Sequence, residues 1–108
     1  MSRTRTVLVV SDFPIIRAAA DSVFAGRCTV RGCSWSGWDV EVASEVDVLV
    51  LDITNFEWPA ALLEGRRATT AGCVAFCSLH WNQVIVYRSG PFGFEQAREF
   101  PSLFELAA

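Results

Sequence analysis

Short apolar runs separated by polar punctuation dominate this chain. Residues 6–10 (TVLVV) form a largely β-branched run that stops at Ser11-Asp12. Residues 47–52 (DVLVLD) and 73–78 (CVAFCS) share that form, an apolar stretch closed by an oxygen-bearing side chain. Continuous runs of this length predict strands buried on both faces, as in a parallel sheet. Residues 28–33 (CTVRGC) read as a further strand, weakened by Gly32. After the first strand, Ile16, Ala19, Ala20, Val23 and Phe24 recur at helical spacing, while Arg17 and Asp21 fall off the stripe. Asp12 is a candidate cap for that helix, Pro14 suits its first turn, and Gly26 suits its end.

The rest of the chain is less clear. Trp38-Asp39-Val40-Glu41-Val42 alternates like a half-exposed strand, whereas Val42, Ala43 and Val46 fit a short helix. Residues 60–67 predict a helix beyond the Trp58-Pro59 loop. Residues 81–88 are apolar enough for helix or strand, 92–95 suit a short strand, and 101–107 suit a last helix behind Pro101. The alternation of strands and helices predicts α/β architecture: a single-domain, doubly wound, five-stranded parallel sheet with helices on both faces. At 108 residues, one domain over 1–108 is expected, and no repeat or linker is visible.

Composition narrows the function classes. With 52 % apolar and 19 % charged residues, the chain has ample surface to bury and does not read as disordered. A net charge of −3 argues against nucleic acid or anionic membrane as a partner through bulk electrostatics. All nine basic residues are arginine. With no lysine there is no Schiff-base amine and no P-loop lysine. No run approaches the roughly 18 apolar residues of a membrane span, and the apolar run near the N-terminus is too short for a secretory signal. A cytoplasmic location is expected. Cys28, Cys33, Cys73 and Cys77 are expected to be small buried thiols. In a strand, Cys73 and Cys77 would stand about 13 Å apart, too far to share a zinc ion. A Cys-His catalytic pair would need His80, the single histidine, beside one of these thiols.

The candidate chemistry lies where the apolar runs end. In open parallel sheets, sites form at the carboxyl ends of the strands. Ser11-Asp12, Asp52 and Ser78 would therefore share one rim. Two carboxylates there suit Mg²⁺, which takes a few carboxylates together with water and phosphate oxygens. The competing reading is that the aspartates only cap the helices that follow.

The segments VLVVSD (7–12), VDVLVLDI (46–53), CVAFCS (73–78) and YRSGPFGF (87–94), in this order and spacing, resemble a response-regulator receiver domain, the CheY-like, flavodoxin-like module of two-component signalling. The resemblance spans nearly the whole chain. It implies a receiver-type fold, with a short or irregular second helix around 38–46. Asp52 matches the phosphoacceptor, Asp12 an acidic Mg²⁺ ligand, and Thr54 the position whose backbone carbonyl binds the metal. Ser78 matches the hydroxyl that turns toward the phosphoryl group, and Phe94 the switch aromatic. Asp52 would accept phosphate from a sensor histidine kinase or phosphotransfer protein, with Mg²⁺ neutralising the developing charge. No enzyme activity beyond self-phosphorylation and dephosphorylation at Asp52 is expected. The resemblance also implies a homodimer through the fourth helix, fifth strand and fifth helix, where Trp81, Tyr87, Phe92, Phe100 and Phe104 fall.

The departures from the family pattern are specific. Ser11 stands where the family has an acidic residue, and Ala97 aligns with its lysine. Arginine does not reproduce a lysine contact, because its planar fork has different geometry. Mg²⁺ affinity should fall. Three readings follow: an atypical receiver phosphorylated on Asp52, a phosphorylation-independent pseudo-receiver acting by protein contact or dimerisation, and a small flavodoxin-like enzyme or ligand-binding domain. No Gly-rich loop follows the first strand, which weakens nucleotide binding.

Overall fold

Among the described residues of the computed structural model are six strands and one α-helix: β1 (Arg5–Val10), α1 (Pro14–Phe24), β2 (Cys28–Cys33), β3 (Val48–Asp52), β4 (Cys73–Cys77), β5 (Val84–Gly90) and β6 (Gly93–Phe100). Residues 5–38, 46–58, 60, 73–81, 83–90 and 93–100 are described, with backbone alone for 89–90, 93–95 and 97–100. The expected helices at 38–46, 60–67 and 101–107, together with Phe92 and Phe104, lie outside the described residues, apart from Trp38, Val46 and Ala60. A 3-10 turn at Trp35–Gly37 follows β2.

The strands form one sheet in the order β2-β1-β3-β4-β5-β6. β1 pairs in parallel with β2 and β3, and β3 in parallel with β4. The α/β class read from the apolar runs is therefore present, with a mostly parallel sheet in place of the wholly parallel one expected; among the described residues α1 covers one face. The far end of the sheet differs from expectation, because β5 runs antiparallel to β4 and β6 antiparallel to β5. The sheet is six-stranded and mixed, and β5 occupies the place expected of a fourth helix. Connection length explains the reversal. A parallel crossover needs a dozen or more residues, and only 78–83 separate β4 from β5. The β-branched Val84-Ile85-Val86 also favours strand over helix.

Strand alternation sorts the core onto two faces. Val7, Val9, Val50, Ala75, Cys77, Val84 and Val86 pack against Ile16, Ala20 and Phe24 of α1. Leu8, Val10, Leu49, Leu51, Val74 and Phe76 point the other way, against a shell of tryptophan, phenylalanine and tyrosine side chains. The helix follows its predicted stripe, and Gly26 takes the left-handed conformation (φ 82°) just past its end. Its start differs from expectation. The N-cap is Phe13, without a side-chain cap, because the Asp12 carboxylate is engaged by Trp35. Among the described residues no helix is long and apolar enough to cross a membrane.

Candidate functional site: a buried carboxylate at the strand-end rim

β1, β3 and β4 lie side by side, and their carboxyl ends share one rim. The register pairs Val9 with Val50, Val50 with Ala75, and Asp52 with Cys77. One alternation further along β1 brings Ser11 into the same row. Ser11, Asp52 and Cys77 therefore stand on the face covered by α1. Ser11 is fully buried, and Asp52 is 2 % exposed.

Asp52 is held by donors from both sides. Its Oδ2 accepts the Ser11 hydroxyl at 2.7 Å. Its Oδ1 accepts the Thr54 backbone N–H at 3.1 Å and the Thr54 hydroxyl as well. Those hydroxyls are themselves acceptors. Ser11 Oγ accepts the Phe13 N–H, and Thr54 Oγ1 accepts the Leu79 N–H, each at 3.0 Å. A continuous chain of hydrogen bonds thus runs from the β1–α1 loop through Asp52 to the loop after β4. Among the described residues no buried side-chain N or O lacks a partner. Removing a carboxylate from water costs several kcal/mol. Hydrogen bonds to a charged acceptor return about 1.5–3 kcal/mol each, so three donors go far to offset that cost.

Trp35 ties a third loop to this rim. Its indole N–H donates to the Asp52 backbone carbonyl at 2.8 Å, and its backbone N–H donates to Asp12 Oδ1 at 2.9 Å. The ring packs against Phe56 with centroids 4.5 Å apart. Sequence places Trp35 in a loop, partly buried against a sheet end, and not in the candidate site, although a signal for the site existed. It lies two residues past β2, where strand-end logic had already placed Ser11, Asp12, Asp52 and Ser78.

The other predicted site residues divide clearly. Ser11, Asp52 and Thr54 come together, with Thr54 offering Asp52 its hydroxyl and N–H. Asp12 reaches the same rim but is exposed and bonded to Trp35. Ser78 Oγ accepts the His80 N–H at 3.0 Å, which places this hydroxyl in its own turn. Phe94 does not join the rim. It pairs with Ser89, near the sheet end where Cys73 pairs with Arg88, because reversal of β5 starts β6 at the opposite edge from Asp52. Ala97 lies within β6, beside an irregularity at Val86/Tyr87, and so is also away from the rim. Trp81 and Tyr87, expected on an interaction face, pack into the aromatic shell, with Trp58 centroids 5.6 and 5.9 Å from theirs. Phe100 is placed by its backbone, paired with Val84.

As arranged, the donor set does not fit a divalent cation. Both Asp52 oxygens accept hydrogen bonds from the protein, and Ser11 faces Asp52 as a donor where an acidic residue would offer a cation a further oxygen. Among the described residues no group of three or more His, Cys, Asp or Glu side chains is placed to hold a metal ion.

Cys77 shares this buried row. Burial, and secondarily the Asp52 carboxylate, push its thiol up to about 12 from 9.0. Burial also raises Cys73, opposed by Arg88, and Cys33, opposed by Arg17 and Arg31. All four cysteines are unbridged, but the expected burial holds for Cys77 alone, since Cys28, Cys33 and Cys73 are half-buried. A raised thiol pKa stabilises the fold below the ordinary thiol value, and that contribution is lost as pH rises toward the folded value. Two results are expected. Native-state alkylation near about pH 8 should reach Cys77 last of the four thiols, because thiolate is the reactive form. Stability should fall above about pH 9, and less steeply in Cys77→Ala. Early labelling of Cys77, read by peptide mass mapping, would contradict this placement.

No protein-family model, curated protein or solved structure matches this chain.

Proposed function

We propose that this chain is a pseudo-receiver: a receiver-like interaction module of two-component signalling that works by protein contact, without a phosphoryl group on Asp52. The saturation of Asp52 carries this reading. In-line attack on phosphorus needs a carboxylate oxygen open to solvent. Asp52 is 2 % exposed, and both of its oxygens accept internal donors. The order β2-β1-β3-β4, all parallel and with α1 joining the first two strands, supports kinship with the doubly wound receiver-type fold. The final hairpin departs from it, and β5 replaces the helix of the expected dimer face.

One observation favours the phosphoacceptor reading with a histidine kinase and Mg²⁺. Asp52 ends a central strand of the parallel part of the sheet, where such sites form. Acetyl phosphate decides between the readings. With Mg²⁺ and excess donor, intact mass should show no phosphoryl adduct (about 80 Da). An Mg²⁺-dependent adduct lost in Asp52→Asn would overturn the pseudo-receiver reading.

A further inference from the structure

The chain leaves β1 for β2 on one side and returns from β2 to β3 on the other, so the topological switch point of this sheet lies between β1 and β3. Doubly wound sheets take their ligands in the crevice at such a point, beyond the carboxyl ends of the strands. Here a side chain of the protein itself bridges those two ends. Trp35 comes from the loop after β2, on the far side of β1, and is pinned twice. Its backbone N–H donates to the Asp12 carboxylate just past β1, and its indole N–H donates to the Asp52 carbonyl at the end of β3. The ring rests on Phe56 and meets Trp38 edge-on, with centroids 6.5 Å apart in the second pair.

The two pins differ in surroundings. Asp12 is exposed, so water competes for its hydrogen bond. Asp52 is buried, and the carbonyl that accepts the indole belongs to the residue whose carboxylate accepts Ser11 and Thr54. Those two hydroxyls in turn accept the Phe13 and Leu79 N–H groups. The loops after β1, β2, β3 and β4 therefore all converge on Asp52. The loop after β2 does so through a half-buried ring that reaches solvent.

We propose that Trp35 is an autoinhibitory strap. Seated, it closes the switch-point crevice with the protein's own side chain, and a ligand for that crevice has to displace it. Unseated, it frees the Asp12 carboxylate and loosens the Asp52 hydrogen-bond network with it. Coupling between two sites is reciprocal, so loosening the Asp52 network also unseats Trp35. This deepens the pseudo-receiver reading, and rests on it, by naming a contact that keeps the rim shut.

The test reads local opening by amide and indole hydrogen exchange in the ¹⁵N-labelled full chain. Trp35→Phe keeps a ring against Phe56 but removes the indole donor, and the signal it deletes identifies the Trp35 indole among those of the four tryptophans. It should speed exchange of the Thr54 and Leu79 amides about threefold or more, as loss of one hydrogen bond does, and change Val9 and Val50 in the central strands less than about twofold. Asp12→Ala removes the other pin without touching the ring. It should speed the Trp35 indole N–H and the same two amides. Ser11→Ala, on the carboxylate of Asp52, should speed the Trp35 indole N–H as well. If Trp35→Phe disturbs the whole fold, the exposed substitution Asp12→Ala carries the test.

Unchanged exchange at Thr54 and Leu79 in both Trp35→Phe and Asp12→Ala would overturn the strap. So would equal acceleration of Val9 and Val50 in both, which would make Trp35 a general stabiliser. A Trp35 indole N–H that exchanges in the parent as fast as in free tryptophan would overturn it too. An Mg²⁺-dependent Asp52 adduct with acetyl phosphate in the parent would overturn the underlying reading instead, so the two failures are distinguishable.

Discussion

Replacing Asp52 with alanine is expected to destabilise the fold by about 3 kcal/mol. The substitution strands three donors at a buried rim. The Ser11 hydroxyl can turn to the Phe13 carbonyl, now 3.4 Å away. The Thr54 N–H and hydroxyl have pointed at Oδ1 and lose their acceptor. Asparagine should cost much less, about 1 kcal/mol, because its amide oxygen still serves Thr54 and its NH₂ can donate to Ser11 Oγ. Ser11→Ala approaches the same contact from the other side, since it leaves Oδ2 buried without its hydroxyl donor. The coupling between Ser11→Ala and Asp52→Asn should be about 1 kcal/mol or more, because the side chains are in direct contact. Urea unfolding followed by tryptophan fluorescence reads all three. An alanine variant as stable as the parent would sink the structural role given to Asp52, since a carboxylate kept for exposed chemistry should be cheap to remove.

Phe76→Ala is expected to cost about 3–5 kcal/mol. Phe76 is fully buried in β4, edge-on to Trp58 and Tyr87, with centroids 5.1 and 5.6 Å away. Deleting its ring opens a cavity and removes two aromatic contacts together. Total domain stability is typically about 5–15 kcal/mol, so this loss should lower the urea midpoint steeply or leave the chain largely unfolded. Phe76→Leu keeps most of the volume and should cost roughly half as much or less. An alanine variant within about 1 kcal/mol of the parent would mean that the aromatic shell does not pack on β4 as described.

Much of this was legible in the chain. The apolar runs at 6–10, 47–52 and 73–78 appear as β1, β3 and β4 within a residue at either end, because double burial leaves an unbroken apolar signature. The helix stripe was equally clear, and Ile16, Ala20 and Phe24 are its buried members. Residues 81–88 were ambiguous because an apolar run of that length carries no period that separates helix from strand. Resemblance to a receiver then pointed toward a helix where β5 stands. The length of the β4–β5 connection was available from sequence and pointed the other way, but it acquires meaning only once 84–90 is known to be a strand.

At the site, strand-end logic brought Ser11, Asp12, Asp52 and Ser78 to one rim, and Thr54 entered only through the receiver resemblance, but how Ser11, Asp52 and Thr54 relate depended on hydrogen-bond direction. Ser11 looked like a lost acid. In the fold it is the donor that lets a carboxylate be buried. Asp12 has the composition of a helix cap, and Trp35 competes for it from a loop 23 residues away. Such pairings depend on which loops meet, and local propensity does not encode that.

The chain by itself determined the parallel strands, their buried faces, the first helix and the rim at which polar side chains gather, because each follows from local periodicity and turn chemistry. Tertiary structure alone decided the reversal of the last two strands, the placement of Phe94 away from the rim, and the closing of Asp52 between Ser11 and Thr54. Those outcomes depend on contacts between residues distant in sequence, whose burial and hydrogen-bond partners exist only once the sheet has assembled.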